Sequence, residues 1–256
     1  MGKRERRFAG KNQLIINRSL EPNPVSKANT APIKPKTERQ KDYLNAIRTS
    51  TVTFGIGPAG TGKTFIAVCE AATMLRNREI ETLIITRPAV EAGESMGFLP
   101  GEIEEKFDPY FAPVREILNK RLGKGHVDGM IAAGRIRCAP LAYMRGTTFE
   151  NAFVIFDEAQ NATPKQMELF LGRIGEHTKV VVDGDLAQQD IPGKSGLRDA
   201  MNRFSKYDWY NQVEFDIDDI VRSGVARDII RAYAAPKREG TVATMTIEEG
   251  SPTSWT

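Results

Sequence analysis

Eight consecutive residues carry the clearest chemistry in this sequence, because they match the pattern G-x-x-x-x-G-K-[ST] of a phosphate-binding loop. Glycines in such a loop let the backbone curl so that its N–H groups point at phosphate oxygens. The lysine reaches the terminal phosphates, and the threonine hydroxyl is a ligand for Mg²⁺. The phosphate loop consists of Gly57, Pro58, Ala59, Gly60, Thr61, Gly62, Lys63 and Thr64. The pattern therefore predicts that this loop binds ATP and Mg²⁺.

The surroundings of the phosphate loop match what phosphate binding requires. An apolar segment, Val52–Ile56, precedes the loop and predicts a buried strand, and a helical pattern, Lys63–Arg76, follows it. A helix that begins at the loop adds the partial positive charge of its N-terminus to the site. A glycine-rich strand-to-helix turn would not need lysine and threonine at fixed places, so the context favours phosphate binding.

Two adjacent acids, Asp157 and Glu158, follow a second apolar segment, Phe153–Phe156. In open parallel sheets, ligands collect beyond the carboxyl ends of the strands, where both acids would lie. Asp157 is placed to hold Mg²⁺ together with Thr64, and Glu158 to orient an attacking water or accept its proton. Adjacent acids are also common at helix starts, so this assignment depends on the phosphate loop.

A third polar segment, residues 183–190, follows the apolar segment Lys179–Val182 in the same way. Within it, Gln188 could sense the γ-phosphate or position water. The alternative is an ordinary polar loop that turns at a glycine. Together the three segments predict a site for ATP hydrolysis, with Lys63, Glu158 and Gln188 among its catalytic residues.

Short apolar segments alternate with helical patterns from Thr37 onward, where Thr37-Glu38-Arg39-Gln40 predicts a capped helix start. Strands are predicted at Val52–Ile56, Thr82–Thr86, Ile136–Ala139, Phe153–Phe156, Lys179–Val182 and Gln212–Phe215. Helices are predicted at Lys63–Arg76, Glu102–Arg121, Pro164–Arg173, Gly196–Phe204 and Val225–Ala234. Short apolar strands that alternate with helices predict an α/β fold with a doubly wound parallel sheet.

Residues 1–36 differ in composition from the rest of the chain. They hold nine Lys or Arg and two acids, a formal charge of +7, so the remainder carries −4 of the net +3. A basic arm on a mildly acidic body suits binding to RNA, single-stranded DNA or another polyanion, and a solvated, flexible arm is the alternative. We expect one domain over residues 37–236, followed by a polar tail, 237–256, in which Thr241–Ile247 could form an edge strand.

Composition disfavours several classes of protein. A hydrophobic fraction of 40% supports a packed core. The sequence has no run of about 18 apolar residues, and its basic start lacks the apolar stretch of a signal peptide, so we expect no membrane association and a cytoplasmic protein. Cys69 and Cys138 predict buried thiols, and His126 and His177 lack partners at metal-ligand spacing.

Further sequence blocks make the chain resemble a known family. The blocks are Thr86–Glu94, Gly97–Gly101, Tyr143–Phe149, Asp157–Asn161 and Gly184–Asp185. With the phosphate loop, they resemble the PhoH-like proteins, phosphate-starvation-associated ATPases of bacteria and their phages. The resemblance extends roughly from Thr37 to Ala235. It implies a single RecA-like P-loop NTPase domain akin to the first motor domain of superfamily 1 helicases, and the host cytoplasm as location if the protein is phage-encoded.

The same resemblance implies roles for three more residues. Gln40 resembles an upstream glutamine that reads adenine, which an amide can pair with bidentately. Arg87 lies in a segment that resembles the single-strand contact motif, or it faces the nucleotide. Arg222 resembles the arginine that touches the γ-phosphate. A surface or ion-pair role is the alternative for each arginine, and a structural role is the alternative for Gln40.

Helicase motors of this kind pair two RecA-like domains, and the second domain supplies an arginine across the nucleotide. The sequence ends soon after the first domain, so we expect a neighbouring subunit to supply this arginine, a contact worth on the order of 10³-fold in rate. Arg145 and Arg222 are the candidates. The resulting prediction, which the family resemblance also implies, is a ring-shaped homo-oligomer, a hexamer, with ATP at its subunit interfaces.

Three functions remain as hypotheses. The first is an ATPase that binds or remodels RNA or single-stranded DNA. The second is a nucleotide-dependent assembly or switch protein without helicase activity. A small-molecule kinase is disfavoured, because Glu158 suits activation of water and no arginine-rich lid is evident. RNA cleavage is disfavoured because His and Cys are scarce.

Overall fold

The structure, a computed structural model, describes residues 28–88, 103–144 and 146–234 of the 256-residue chain. The chain divides into two units, one that ends at Val221 and one that begins at Arg222. Arg145, most of the basic arm and the segment Thr241–Ile247 lie outside the described residues, so the sequence predictions made for them stay predictions.

Six parallel strands form one sheet in the order β3-β2-β4-β5-β1-β6. Their bounds are β1 Val52–Ile56, β2 Thr82–Arg87, β3 Ile136–Pro140, β4 Ala152–Phe156, β5 Lys179–Gly184 and β6 Tyr210–Glu214. Every residue of β1 and β4 is buried, as expected for strands whose two faces are both covered.

Helices cover both faces of this sheet. The bounds of these helices are α1 Glu38–Thr49, α2 Lys63–Asn77, α3 Ile103–Leu122, α4 Lys124–Ala132, α5 Pro164–Leu171 and α6 Gly196–Phe204. A further helix, α7 Gly224–Ala234, belongs to the second unit. One core joins side chains of α1 to α4 to strand residues such as Phe153 and Ile155, and the other joins α5 and α6 to Val154 and Phe156. Successive strand side chains thus serve opposite cores, and the predicted α/β, doubly wound parallel sheet is confirmed.

The strand order determines which loops meet. Strand β5 lies between β1, which leads into the phosphate loop, and β4, which leads into Asp157 and Glu158. Because all three strands are parallel, their carboxyl ends lie side by side at one edge of the sheet. The three polar segments predicted from sequence therefore follow three adjacent strands.

Helix α4 is absent from the sequence prediction, and its composition explains why. The helix contains two glycines, Gly125 and Gly129, each of which lowers helix propensity by about 1 kcal/mol relative to alanine. Packing compensates, because Val127 and Met130 are buried in the core with α3 and β3. The predicted start of α1 is confirmed, since the Thr37 hydroxyl accepts a hydrogen bond from the Gln40 N–H at 3.2 Å.

The second unit contains α7, which is amphipathic. Its apolar side chains Val225, Ile229 and Tyr233 are 72%, 53% and 89% exposed and recur every four residues along one side of the helix. In the described part of the chain, no helix is both long and apolar enough to cross a membrane.

Candidate nucleotide-hydrolysis site

The phosphate loop has the backbone geometry that its sequence predicts. Gly57 and Gly62 have φ angles of 135° and 86°, a region that glycine adopts without steric cost. The loop is tied to neighbouring segments, because the Gly57 N–H donates to the Gly184 carbonyl and the Val221 N–H to the Gly60 carbonyl, both at 3.0 Å. Helix α2 begins directly after Gly62, and no described side chain caps it. Its N-terminus is thus available to an anion.

Lys63 lies folded against the phosphate loop and is 9% exposed. Its Nζ donates hydrogen bonds to the carbonyl oxygens of Gly57 and Pro58, at 2.6 and 2.9 Å. Burial lowers the pKa of Lys63, whereas the charges of Asp183, Asp185, Asp157 and Glu158 act in the opposite direction. Carboxylates from the ends of β4 and β5 therefore act electrostatically on the lysine that follows β1.

Asp157 and Thr64 supply oxygen ligands of the kind that Mg²⁺ prefers. Asp157 directly follows β4, where its backbone N–H donates to the Thr86 carbonyl at 2.9 Å. Burial raises the pKa of Asp157, and the neighbouring Glu158 raises it further. A divalent cation would offset both effects, since positive charge favours the ionised carboxyl. Thr64, the second residue of α2, is half-buried. The donor set thus fits the predicted metal.

Glu158 has an unusual backbone conformation. Its φ of 53° lies in the left-handed region, which costs a non-glycine residue about 1–2 kcal/mol. Strained residues of this kind concentrate at functional sites, where the surrounding structure holds them in place. One oxygen of the Glu158 carboxylate, Oε2, accepts a hydrogen bond from Gln160 Nε2 at 2.7 Å.

Gln188 lies in the loop that follows β5, residues 185–190, called here the β5 loop. Its side chain is exposed, and its Nε2 donates to Asp185 Oδ2 at 2.8 Å. The β5 loop contacts the segment after β4, because the Asp190 N–H donates to Asn161 Oδ1 at 2.8 Å. Gln188 therefore lies in a loop bonded to the segment that carries Glu158, and its γ-phosphate role stays a prediction.

Gln40 is buried beneath the phosphate loop. Its Nε2 donates to the Thr61 carbonyl at 2.7 Å, and its Oε1 accepts from the Lys36 N–H at 2.7 Å. A side chain at position 62 would have its Cβ 2.8 Å from Gln40 Nε2, so the glycine there makes room for the amide. Gln40 thus supports the loop. The amide nitrogen and the amide oxygen of Gln40 each retain one more hydrogen-bonding position. Recognition of adenine by Gln40 stays a prediction.

Comparison with known proteins decides the family. A model of the family described as PhoH-like protein matches residues 32–234. The chain is 45% identical to a PhoH-like protein of Bacillus subtilis over 89% of this chain and 72% of the relative. It is 45% identical to Protein PhoH of Escherichia coli over 80% of this chain and 59% of the relative. The chain belongs to the PhoH-like family.

This PhoH-like chain spans 60% of the length of a Mycobacterium tuberculosis relative that is 46% identical to it, and 62% of a Synechocystis relative. Among solved structures, it is similar to the UvsW helicase from bacteriophage T4, with a TM-score of 0.42 and 14% identity over 80% of this chain and 67% of that one. It is also similar to the Pif1 helicase from Candida albicans, with a TM-score of 0.34 and 14% identity over 83% of this chain and 50% of that one. These structural likenesses are distant.

The arginines that the resemblance suggested have different locations in this PhoH-like chain. Arg87 ends β2, and its guanidinium lies 4.1 Å from the ring centroid of Tyr110. Burial raises the pKa of the nearby Asp157, and the charge of Arg87 partly offsets that rise. Arg222 begins the second unit and is exposed. Arg145 lies outside the described residues. The first unit thus brings together Lys63, Asp157 and Arg87, while the arginine expected to act between subunits stays undetermined.

Asp183, the first residue of the third polar segment, is a buried acid that the sequence analysis did not single out. It lies on β5 opposite Gly55 of β1, is 1% exposed, and accepts a hydrogen bond from the Tyr43 hydroxyl at 2.5 Å. Its other oxygen, Oδ2, has no hydrogen-bond partner among the described residues. Burial raises the pKa of Asp183 to about 7, with Asp157 adding to the effect. An acid inside an apolar strand is the sequence signal that could have identified it.

Proposed function

We propose that this chain is a Mg²⁺-dependent ATPase whose turnover is coupled to RNA or single-stranded DNA. The observation that carries the proposal is the meeting of three polar segments at the carboxyl ends of β1, β4 and β5. Membership of the PhoH-like family supports nucleotide binding by the phosphate loop. The combination of a phosphate-binding lysine with two acids suits hydrolysis better than binding alone.

Each residue has a role in this proposal. The backbone of Gly57–Thr64 binds the β- and γ-phosphates, and Lys63 leaves its loop carbonyls to contact them. Thr64 and Asp157 hold Mg²⁺, which when bound neutralises charge on the phosphate oxygens. Glu158 orients the attacking water and accepts its proton. Gln188 contacts the γ-phosphate, and Gln40 pairs with adenine.

Phosphate release with MgATP tests the hydrolysis proposal. Lys63→Ala removes a charge-assisted contact and should weaken ATP binding about 10- to 100-fold. Glu158→Gln should bind ATP as the wild type does but lower kcat at least about 100-fold, because it removes the base. Normal hydrolysis by Glu158→Gln would assign water activation to another group, and no hydrolysis by the wild type, alone or with polynucleotide, would reject the ATPase proposal.

Coupling to nucleic acid is tested in the same assay with single-stranded RNA and DNA. Stimulation should decrease between about 50 and 200 mM salt, because phosphate contacts release counterions. Lack of stimulation by any polynucleotide would instead support the second candidate, a nucleotide-dependent assembly or switch protein. The exposed apolar side of α7, formed by Val225, Ile229 and Tyr233, favours that candidate, since such a surface suits contact with a partner.

We also propose that the active form is a ring, a hexamer, in which an arginine acts on a neighbouring subunit's ATP. Lys63→Ala and Arg222→Ala should each lower turnover when assayed alone, and mixing the two variants should restore activity if Arg222 acts in trans. A mixed interface then pairs an intact Lys63 with an intact Arg222. The same mixture with Arg145→Ala tests the other candidate. A monomeric mass by light scattering with MgATP would exclude the ring.

A further inference from the structure

Gln160 lies between the Glu158 carboxylate and the β5 loop and has no role in the proposed hydrolysis. It is 1% exposed and belongs to a short 3-10 turn, Ala159–Asn161, directly after Glu158. Burial of an uncharged amide in this way requires hydrogen bonds to most of its polar atoms. The partners of Gln160 therefore show what the side chain does.

The Gln160 amide bonds to both segments that carry the predicted catalytic residues. Its Nε2 donates to Glu158 Oε2 at 2.7 Å and to the Gln188 carbonyl at 3.4 Å. Its Oε1 accepts from the Asp185 N–H at 3.1 Å. One side chain thus links the Glu158 carboxylate to Asp185, the N-cap of the 3-10 turn Leu186–Gln188, and to Gln188, the last residue of that turn.

The chemistry of these partners determines how the amide is oriented. A backbone N–H can only donate, so Asp185 must face the amide oxygen. A carboxylate and a carbonyl can only accept, so Glu158 and Gln188 must face the amide nitrogen. A flipped Gln160 would lose all three bonds at once, and the observed orientation is therefore the one the network requires.

We infer that Gln160 is a positioning residue, which holds the Glu158 carboxylate in its reactive place and makes that place depend on the β5 loop. The inference rests on the ATPase proposal. Glu158 begins from a left-handed backbone conformation, and its flexible side chain needs an external contact to stay fixed. Because the β5 loop holds the other end of the same amide, a shift of Gln188 on contact with the γ-phosphate would be transmitted to Glu158.

Two substitutions that keep the size of the Gln160 side chain test its three hydrogen bonds. Gln160→Met fills the same space and forms none of the three bonds. Gln160→Glu retains an oxygen for the Asp185 N–H but replaces the donor that faces Glu158 with an acceptor. Both variants should lower kcat about 10- to 100-fold, the effect expected of a misplaced catalytic group, and should leave the affinity for MgADP unchanged. The readout is therefore a loss in kcat without a matching change in KM.

Asn161→Ala is the matched control. The Asn161 side chain also bonds to the β5 loop, through the Asp190 N–H at 2.8 Å and Asp190 Oδ2 at 3.3 Å, but it does not bond to the Glu158 carboxylate. This variant should keep kcat within a few-fold of the wild type. In a Glu158→Gln background, Gln160→Met should cause no further loss, because the group that it positions is already absent.

The outcomes distinguish positioning from packing. Loss of kcat in both Gln160 variants, with Asn161→Ala active, supports the inference. Wild-type kcat in Gln160→Met or in Gln160→Glu overturns it, and so does an equal loss in Asn161→Ala. If Gln160→Met fails to fold, as judged by circular dichroism, Gln160→Glu decides the question alone. Failure of the ATPase proposal would show in the wild type itself, before any Gln160 variant is compared.

Discussion

The two halves of the candidate site are built by different means. On the β1 side, backbone conformation forms the phosphate loop, with Gly57 and Gly62 at positive φ and Lys63 bonded to loop carbonyls. On the β4 and β5 side, side chains form the structure, and the amides of Gln160 and Asn161 connect two loops. Substitutions on the β1 side should therefore act through steric conflict, and substitutions on the β4 and β5 side through lost hydrogen bonds.

The largest effect is expected on the backbone side, from Gly57→Ala. A Cβ there would lie 2.3 Å from the Phe215 carbonyl oxygen, at a φ of 135°. Both the clash and the conformation oppose the side chain, so we expect a loss of about 3 kcal/mol in the free energy of unfolding and loss of ATP binding. Urea unfolding and nucleotide titration measure the two effects.

Gly134→Ala is the control for that experiment. Gly134 also has a positive φ, 68°, but a Cβ there would meet nothing within 4 Å. Gly134→Ala should lower the free energy of unfolding by only about 1 kcal/mol, the cost of the left-handed conformation, and should leave ATP binding intact. Equal losses in the two variants would show that the contact with Phe215 is unimportant and that the phosphate loop adapts to a side chain.

A second prediction concerns Asp183, which lies where the two halves meet. Its pKa is raised to about 7 in the folded protein, against about 3.9 in an unfolded chain, so folding favours the protonated form. The associated stability is fully present below about pH 4 and is lost as pH rises through about 7. Asp183→Asn should flatten the decrease in the free energy of unfolding over this range, as measured by urea unfolding at several pH values.

Tyr43→Phe tests the hydrogen bond between Tyr43 and Asp183 by removing its donor. Removal of the hydroxyl takes away the donor at 2.5 Å from Asp183 Oδ1 and leaves a buried carboxyl without that bond. The expected loss is about 1–3 kcal/mol at pH 7, and the decrease with pH should remain. If the free energy of unfolding depended on pH in the same way in the wild type and in Asp183→Asn, a group other than Asp183 would cause the decrease.

Sequence reasoning identified the backbone side more completely than the side-chain side, and the reason is physical. The phosphate loop is local, because eight adjacent residues determine its shape, and the strand before it is a continuous apolar segment. The Tyr43–Asp183 bond joins residues 140 positions apart. From sequence alone, Tyr43 is an apolar residue at helical spacing. Its contact with Asp183 becomes visible only when α1 packs over β1, the strand next to β5 in the sheet.

The links around Gln160 are hidden for a similar reason. The spacing of Asp157 and Glu158 after an apolar strand predicts where acids lie, but not which residue fixes their side chains. That information depends on the order of strands, since β5 must lie beside β4 for the Asp185 N–H to reach Gln160. Alternation of strands and helices predicted a doubly wound parallel sheet without its strand order.

The last prediction concerns two helix caps on the β4 and β5 side. Ser195 caps α6, its hydroxyl accepts from the Leu197 N–H at 3.2 Å and donates to the Gln160 carbonyl at 2.9 Å, and the residue is buried. Thr163 caps α5 in a similar way but is exposed and does not bond to Gln160. Ser195→Ala should lose about 2 kcal/mol in the free energy of unfolding, because it leaves a buried carbonyl without its donor, and Thr163→Ala about 1 kcal/mol.

The two cap variants also differ in their expected effect on turnover. Ser195→Ala removes one support of the turn that carries Gln160, so kcat should decrease while ATP binding stays the same. Thr163→Ala should leave both unchanged. If the two variants lost equal stability and kept equal kcat, the hydrogen bonds behind Gln160 would serve only the helices. The β4 and β5 side would then tolerate the loss of individual side chains, whereas the phosphate loop would not tolerate a single added methyl group.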